Sequence, residues 1–405
     1  MSKRSLSLAL FLILINLSIF AIEKAPLTEY KSRRDRLAAK ARNGVIVLFA
    51  AQDKELVEYQ QEPHFYYLTG FDEPDAILII DASAKPPADY FFLKQRDVSR
   101  ERWTGAKLGP GTDAEKALAM GSVQPLGEFN GLLRKLSANK KVYTLNDDFD
   151  RIRAAVPTAR MEDIGPTIAA LRQVKSPTEI ALLEKAIEIT LKGHEAAART
   201  ISPGAMEYEV EATLEYEFRR NGAERPGFPS IVGSGPFSTV LHYDKSTRRL
   251  EAGDVVVVDI GAEYSGYSAD VTRTYPVSGR FSPRQREIYQ IVLDAQKAAI
   301  AEVKPGVTLD KVHAAAFNLI RSKGYAEYFI HGTSHHIGLQ VHDVGSTDRP
   351  LEPNMVITIE PGIYIPEEKI GVRIEDDILV TVSSHRVLSI FPKEISEVEA
   401  LLQKQ

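Results

Sequence analysis

The chain has 405 residues, 44% hydrophobic and 26% charged, enough for two globular domains with separate cores. Its net charge of −5 leaves no basic footprint for nucleic acid. It contains no cysteine, which excludes disulfides, thiolate metal ligands, a Cys nucleophile and a lipid-modified N-terminal cysteine.

Lys3 and Arg4 precede an apolar stretch from Leu6 to Phe20 that closes on Ala21. This pattern predicts a signal peptide over 1–21, cleaved on export to a secreted or periplasmic location. At 15 residues, interrupted by Ser7, Asn16 and Ser18, the stretch is short for a membrane span, which needs ~20. No stable membrane insertion is expected after cleavage, and an uncleaved anchor is the alternative.

After the signal, Arg33 to Arg42 reads as a charged helix and GVIVLFA (44–50) as a fully apolar strand. FYYLTG (65–70), AILIID (76–81), DYFFLK (89–94) and KVYTL (141–145) are further strand candidates. Together they predict an N-terminal α/β domain over 22–172. RERWTGAKLG (100–109) holds the single tryptophan, Trp103, expected in a core or domain interface unless it lies at a substrate mouth. His64 has no titratable neighbour at metal-ligand spacing and reads as structural.

A second domain, 173–405, begins at QVKSPTEIALLEKA, where Ser176, Pro177 and Glu179 form a helix start. It contains an internal repeat. A helix to about Thr200, a Pro203-Gly204 break and a helix over about 206–220 are echoed by a helix from Ser282-Pro283, a Pro305-Gly306 break and a helix to Gly324. After each pair, EAGDVVVVDIG (251–261) and EPNMVITIEPG (352–362) match at an offset of 101, with Asp259 on Glu360. Asp270 has its counterpart at Glu375 in VRIEDD.

In the first half, Ser265-Gly266 offers a two-residue hairpin turn. A turn there places 259 opposite 272 and 261 opposite 270, so Asp259 and Asp270 are diagonal neighbours roughly 7–8 Å apart. A carboxylate ending a run of four valines is costly to bury without a cation. If the halves pack about a pseudo-two-fold axis, four carboxylates converge, and their repulsion calls for two divalent ions.

Four of the nine histidines fall within HGTSHHIGLQVHD (331–343), and His242 precedes the first acidic hairpin much as His342 precedes the second acidic strand. His336 reads as a solvated loop residue.

With FYYLTGF, RWTGAKLG, RQVKSPTEI, HGTSH, TIEPG and VRIEDDILVT, the chain resembles the pita-bread metallopeptidases, and among them the Xaa-Pro aminopeptidases (aminopeptidase P) and prolidases. The resemblance implies an N-terminal α/β domain followed by a pita-bread domain, a pseudo-two-fold duplicated α+β unit. It implies Asp259, Asp270, His335, Glu360 and Glu375 as ligands of a dinuclear site, with Asp270 and Glu375 bridging. Such ligation favours Mn²⁺ by softness, with Co²⁺, Zn²⁺ or Fe²⁺ also compatible. The implied reaction is attack of metal-bound hydroxide on a peptide carbonyl, with Glu360 as proton shuttle. His242, His331 and His342 would surround the scissile peptide, Arg373 would support a carboxylate ligand, and Tyr364 lies close enough to join them. Asn354 stands where the family commonly has Gly, and the loop 346–351 is short.

The leading expectation is a secreted enzyme that releases an N-terminal residue preceding proline from peptides. The runner-up is a prolidase confined to dipeptides, with Arg349 as one candidate for holding the free carboxylate. Other classes to weigh are a non-catalytic peptide-binding pita-bread domain and a creatinase-like amidinohydrolase. The oligomeric state, a homo-oligomer included, is open.

Overall fold

The computed structural model describes residues 23–54 and 57–403, so the segment read as a signal lies outside the described residues. Among those described, no helix is long and apolar enough to cross a membrane.

The N-terminal half is built on a mixed six-stranded sheet in the order 123–125, 88–93, 77–81, 45–49, 141–144, 160–163. The strand Val45–Phe49 is buried along its whole length because both its faces are covered. Val45, Val47 and Phe49 pack with Phe129 and Leu133 on one side, and Ile46 and Leu48 with Phe65, Leu68 and Phe91 on the other.

FYYLTG does not form a strand. Pro63–Thr69 is a helix, started by the Glu62 side chain, which accepts from the His64 and Phe65 amides, and stopped by Gly70 at φ 62°. A short apolar run fits either period, and here the cap and the left-handed stop decide.

The Ser176 capping box forms as expected and opens the helix Pro177–Thr200. That helix packs on Glu207–Arg220, and the repeat supplies the pair Pro283–Glu302 and Leu309–Ser322. Both pairs cover strands within one continuous core that includes Leu183, Phe218, Val256, Val258, Ile288, Val292, Ile357 and Ile378.

The first acidic hairpin pairs Val255–Ile260 with Val271–Pro276, Asp259 standing opposite Thr272 as the turn position predicts. Ser265 and Gly266, at φ 53° and 77°, make the expected two-residue turn. The second hairpin pairs Val356–Ile359 with Asp376–Val380 and Gly362–Ile365 with Ile370–Arg373. The two hairpins meet edge to edge, the Glu375 amide donating to Thr272 O at 3.1 Å and the Arg373 amide to Thr274 Oγ1 at 3.1 Å. Asn354 takes φ 71°, a left-handed conformation that asparagine tolerates in place of glycine.

Gly261 lies between the two aspartates of the first hairpin, where a Cβ would overlap the Ala269 carbonyl. Gly261→Ala is therefore expected to destabilise the protein by roughly 3 kcal/mol, the upper end for overpacking. Urea unfolding with an unchanged midpoint would refute that reading of the crossing.

Candidate metal centre

The junction of the hairpins collects the acids. Asp259 is the penultimate residue of its strand, while Asp270 and Glu375 each stand one residue before theirs. All three are buried. His335 and Glu360 arrive together because 333–336 runs beside the second hairpin. The Glu360 amide donates to Thr333 O at 2.8 Å, and the Thr358 amide to His335 O at 2.9 Å.

Ligand atoms of Asp270, His335 and Glu375 lie within 4.8 Å of one another. His335 Nδ1 faces His336 O at 3.1 Å, and a carbonyl only accepts, so Nδ1 carries the proton. Nε2 is left with its lone pair 3.4 Å from Asp270 Oδ2 and 3.5 Å from Glu360 Oε1. Lone pairs facing each other at that distance are reconciled by a proton on the acid or by a cation between them.

Arg373 supplies part of the compensation. Its Nη2 donates to Asp259 Oδ2 at 2.5 Å, its Nη1 to the Tyr364 hydroxyl at 2.8 Å and its Nε to Thr272 Oγ1 at 3.2 Å. Thr272 in turn donates to Glu375 Oε2 at 2.7 Å. Asp259 Oδ1 and Glu375 Oε1 remain buried without a partner. Such orphaned oxygens are rare in a folded interior, and together with the His335 tautomer they show that the donor set fits divalent ions.

The electrostatics agree. Burial pushes the Asp270 and Glu375 carboxyls well above the usual range, and the neighbouring carboxylates push them further. Glu360 rises to about 7, chiefly through burial, with His335 and Arg373 opposing the shift. Burial, then Arg373, lowers His331 to about 4.

The acids floor a cavity of about 730 Å³ whose apolar wall includes Phe228, Ile231, Leu241 and Val341. His242, His331 and His342 line it with Arg373, while Tyr364 reaches it through His331 and Arg373. All ten residues singled out in the sequence thus meet at one place. Thr272 was not singled out, although its alternation with Asp270 on one strand face could have revealed it. The apolar wall has no local sequence signal. Asp244, outside the acidic motifs, also lines the cavity. Two expectations fail. His336 is buried and bonded to Gln173, not solvated. Trp103 is 89% exposed, so it belongs to no core or interface among the described residues.

This fold and acid cluster define a two-domain metallopeptidase, and comparison with known proteins agrees. Residues 181–382 match metallopeptidase family M24, and residues 30–144 match the N-terminal domain of aminopeptidase P. The chain is 36% identical to the Xaa-Pro aminopeptidase of Haemophilus influenzae, over 94% of this chain and 98% of that one. It is 38% identical to the Xaa-Pro dipeptidase of Pyrococcus horikoshii, over 83% and 92%. The structure of proline aminopeptidase P II from Yersinia pestis superposes with a TM-score of 0.89 at 33% identity, covering 94% and 100%. The chain belongs to metallopeptidase family M24 and is a metallo-aminopeptidase of the aminopeptidase P type.

Because their folded-state pKa values are raised, Asp270 and Glu375 favour the protonated form in metal-free protein. Their contribution to stability is complete below the ordinary carboxylate range of about 4 and is lost as pH rises through the raised values. Divalent ions need the deprotonated forms. The rise in Tm on adding Mn²⁺ to metal-free protein should therefore be larger near pH 7 than near pH 5. An equal rise at both would exclude these carboxylates as the binding groups.

Proposed function

We propose that the mature chain, with domains at 22–172 and 173–405, is an exported Xaa-Pro aminopeptidase holding two divalent ions, manganese first among the candidates. The observation that carries this reading is the convergence of Asp259, Asp270, His335, Glu360 and Glu375, with two buried oxygens unpartnered, on the floor of one cavity. Asp270 and Glu375, whose ligand atoms lie within 4.8 Å of those of His335, would hold both ions. When bound, two such ions supply Lewis-acid polarisation of the scissile carbonyl and an activated water.

The chain's own groups do the rest. Glu360, on the cavity floor beside His335, is placed to take a proton from the attacking water and pass it to the leaving amine. The Arg373 N–H donates to the Tyr364 oxygen, so the Tyr364 O–H donates to His331 Nε2 at 2.8 Å, while His331 Nδ1–H donates to Gly332 O at 2.7 Å. His331 is thereby held neutral with both ring nitrogens engaged, and its role is to buttress the wall beside Glu360. Hydrogen bonding to the substrate falls to His242 and His342, and the apolar wall takes the proline ring. Proline's fixed φ and missing N–H suit such a shaped pocket.

The similarity to a dipeptidase makes prolidase the second reading. A prolidase must hold the free carboxylate of proline, which a cation does best. Arg373 is the only Lys or Arg among the described residues lining the cavity, and it is committed to Asp259 and Tyr364. Arg349 lies outside the lining and pairs with Glu352. That favours longer peptides.

Gly-Pro, Gly-Pro-Ala and a longer Xaa-Pro peptide, with Gly-Ala-Ala as control, test the proposal. Release of the first residue from the longer Xaa-Pro peptides is expected. Cleavage confined to Gly-Pro would make the enzyme a prolidase, and equal cleavage of Gly-Ala-Ala would remove proline specificity. Asp270→Asn should lower kcat/KM by on the order of 100-fold or more and reduce bound metal, since bridging needs anionic oxygen. Asp150→Asn, on the exposed side of the N-terminal half, should change neither. Mass spectrometry of the exported form should find no residue before position 22, and an intact Met1 or Ser2 start would reject cleavage.

A further inference from the structure

Outside the acid cluster, a buried ion triad joins the two halves of the molecule. Asp343 lies between Arg172 and Lys175, and all three side chains are no more than 2% exposed. Arg172 Nη2 bonds Asp343 Oδ1, and Lys175 Nζ lies 3.1 Å from Asp343 Oδ2. Arg172 also donates from Nη1 to His64 Nδ1 at 3.1 Å and from Nη2 to Gln340 Oε1 at 3.3 Å. His64 belongs to the helix 63–69 of the N-terminal half, Arg172 to the helix Gly165–Gln173 that ends that half, and Lys175 to the short link before the helix Pro177–Thr200.

Asp343 directly follows His342. The Asp343 amide donates to His336 O at 2.9 Å, closing a loop that carries Val341 and His342 into the cavity. The same loop is tied to the first acidic hairpin by the Ser268 amide, which donates to Gly338 O at 2.9 Å. Within the site, the His342 ring stands edge-on to the His335 ring at 4.4 Å. No backbone pairing in a regular sheet holds His342. A buried ion triad is a poor way to gain stability alone, since apolar side chains of similar volume do as well. What it adds is a fixed geometry.

We propose that the Arg172–Asp343–Lys175 triad is a positioning device: it sets the place of His342 against the substrate, so the last helix of the N-terminal half and the link after it determine the geometry of the catalytic cavity. Asp343 is the positioning residue, acting through the backbone of His342. The inference rests on reading the cavity as the peptidase site. A displacement of about 1 Å in such a group can lower turnover on the order of 100-fold.

The test is a double-mutant cycle on the metal-loaded full chain, with Asp343→Asn, His342→Ala and the double variant assayed on Gly-Pro-Ala. Asp343→Asn is expected to lower kcat/KM by about tenfold or more with bound metal unchanged, and the double variant should be no worse than His342→Ala alone. Losses that multiply would overturn the proposal. Arg172→Lys keeps the charge but removes the fork, and it serves in the same cycle if Asp343→Asn does not fold. If the wild type cleaves no Xaa-Pro peptide, the peptidase reading fails, but the triad is still tested. In histidine-labelled protein the His342 ring signals should shift in Asp343→Asn or Arg172→Lys, and unchanged signals in both would overturn the positioning role.

Discussion

Carboxylates buried side by side at the junction of two hairpins govern this structure. Asp259, Asp270, Glu360 and Glu375 share one cavity floor, and burial, with the charge of neighbouring carboxylates, opposes ionisation of Asp270, Glu360 and Glu375. Arg373 answers one oxygen of Asp259 and leaves two oxygens of the cluster unpartnered. A site that retains such groups does so for the ions they can hold, because an apolar junction would be more stable.

Repelling groups stay in place only if the backbone behind them is rigid. Beneath the cluster, the fully buried Arg273 donates from Nη1 to Thr272 O at 2.9 Å and to Glu375 O at 2.6 Å, joining the two hairpins at the level of the acids. Its Nη2 meets Asp376 Oδ1 at 2.8 Å, and Gln296 and Lys393 satisfy the other oxygen of Asp376. Asp377 accepts the Asp270 amide at 3.2 Å. The pair of acids in each half is thus held by hydrogen bonds that cross to the other half. Pre-organised donors of this kind are what a hydrolytic site needs, because reorganisation during reaction raises the barrier.

The active cavity is also a product of both halves of the chain. The loop carrying His342 is anchored through Asp343 to Arg172 and Lys175, and Arg172 reaches His64 of the helix 63–69. The run FYYLTG within and just after that helix reads equally as a strand, since six positions carry too little period to distinguish the two, and the decisive Glu62 cap lies outside the run. Trp103 was misplaced for a different reason: burial of tryptophan is a tendency of cores, and a four-residue helix with no buried residue forms none.

By itself the sequence determined the features that depend on neighbours along the chain. The turn at Ser265-Gly266 set the hairpin register, so Asp259 faces Thr272, and the Ser176 and Ser282 caps started both long helices. The recurrence of acids at matching places announced a centre of symmetry, and the motifs named the family. Only the tertiary structure decided which groups are already engaged. Arg373 turns to Asp259, His331 is occupied by Tyr364 and Gly332, His336 is buried against Gln173, and Asp343 is clamped by Arg172 and Lys175. Apart from the adjacent His331 and Gly332, those partners lie 33 to 171 residues apart. Local spacing carries no information about such contacts, because they arise from how the helices and hairpins pack, not from the period of any one of them.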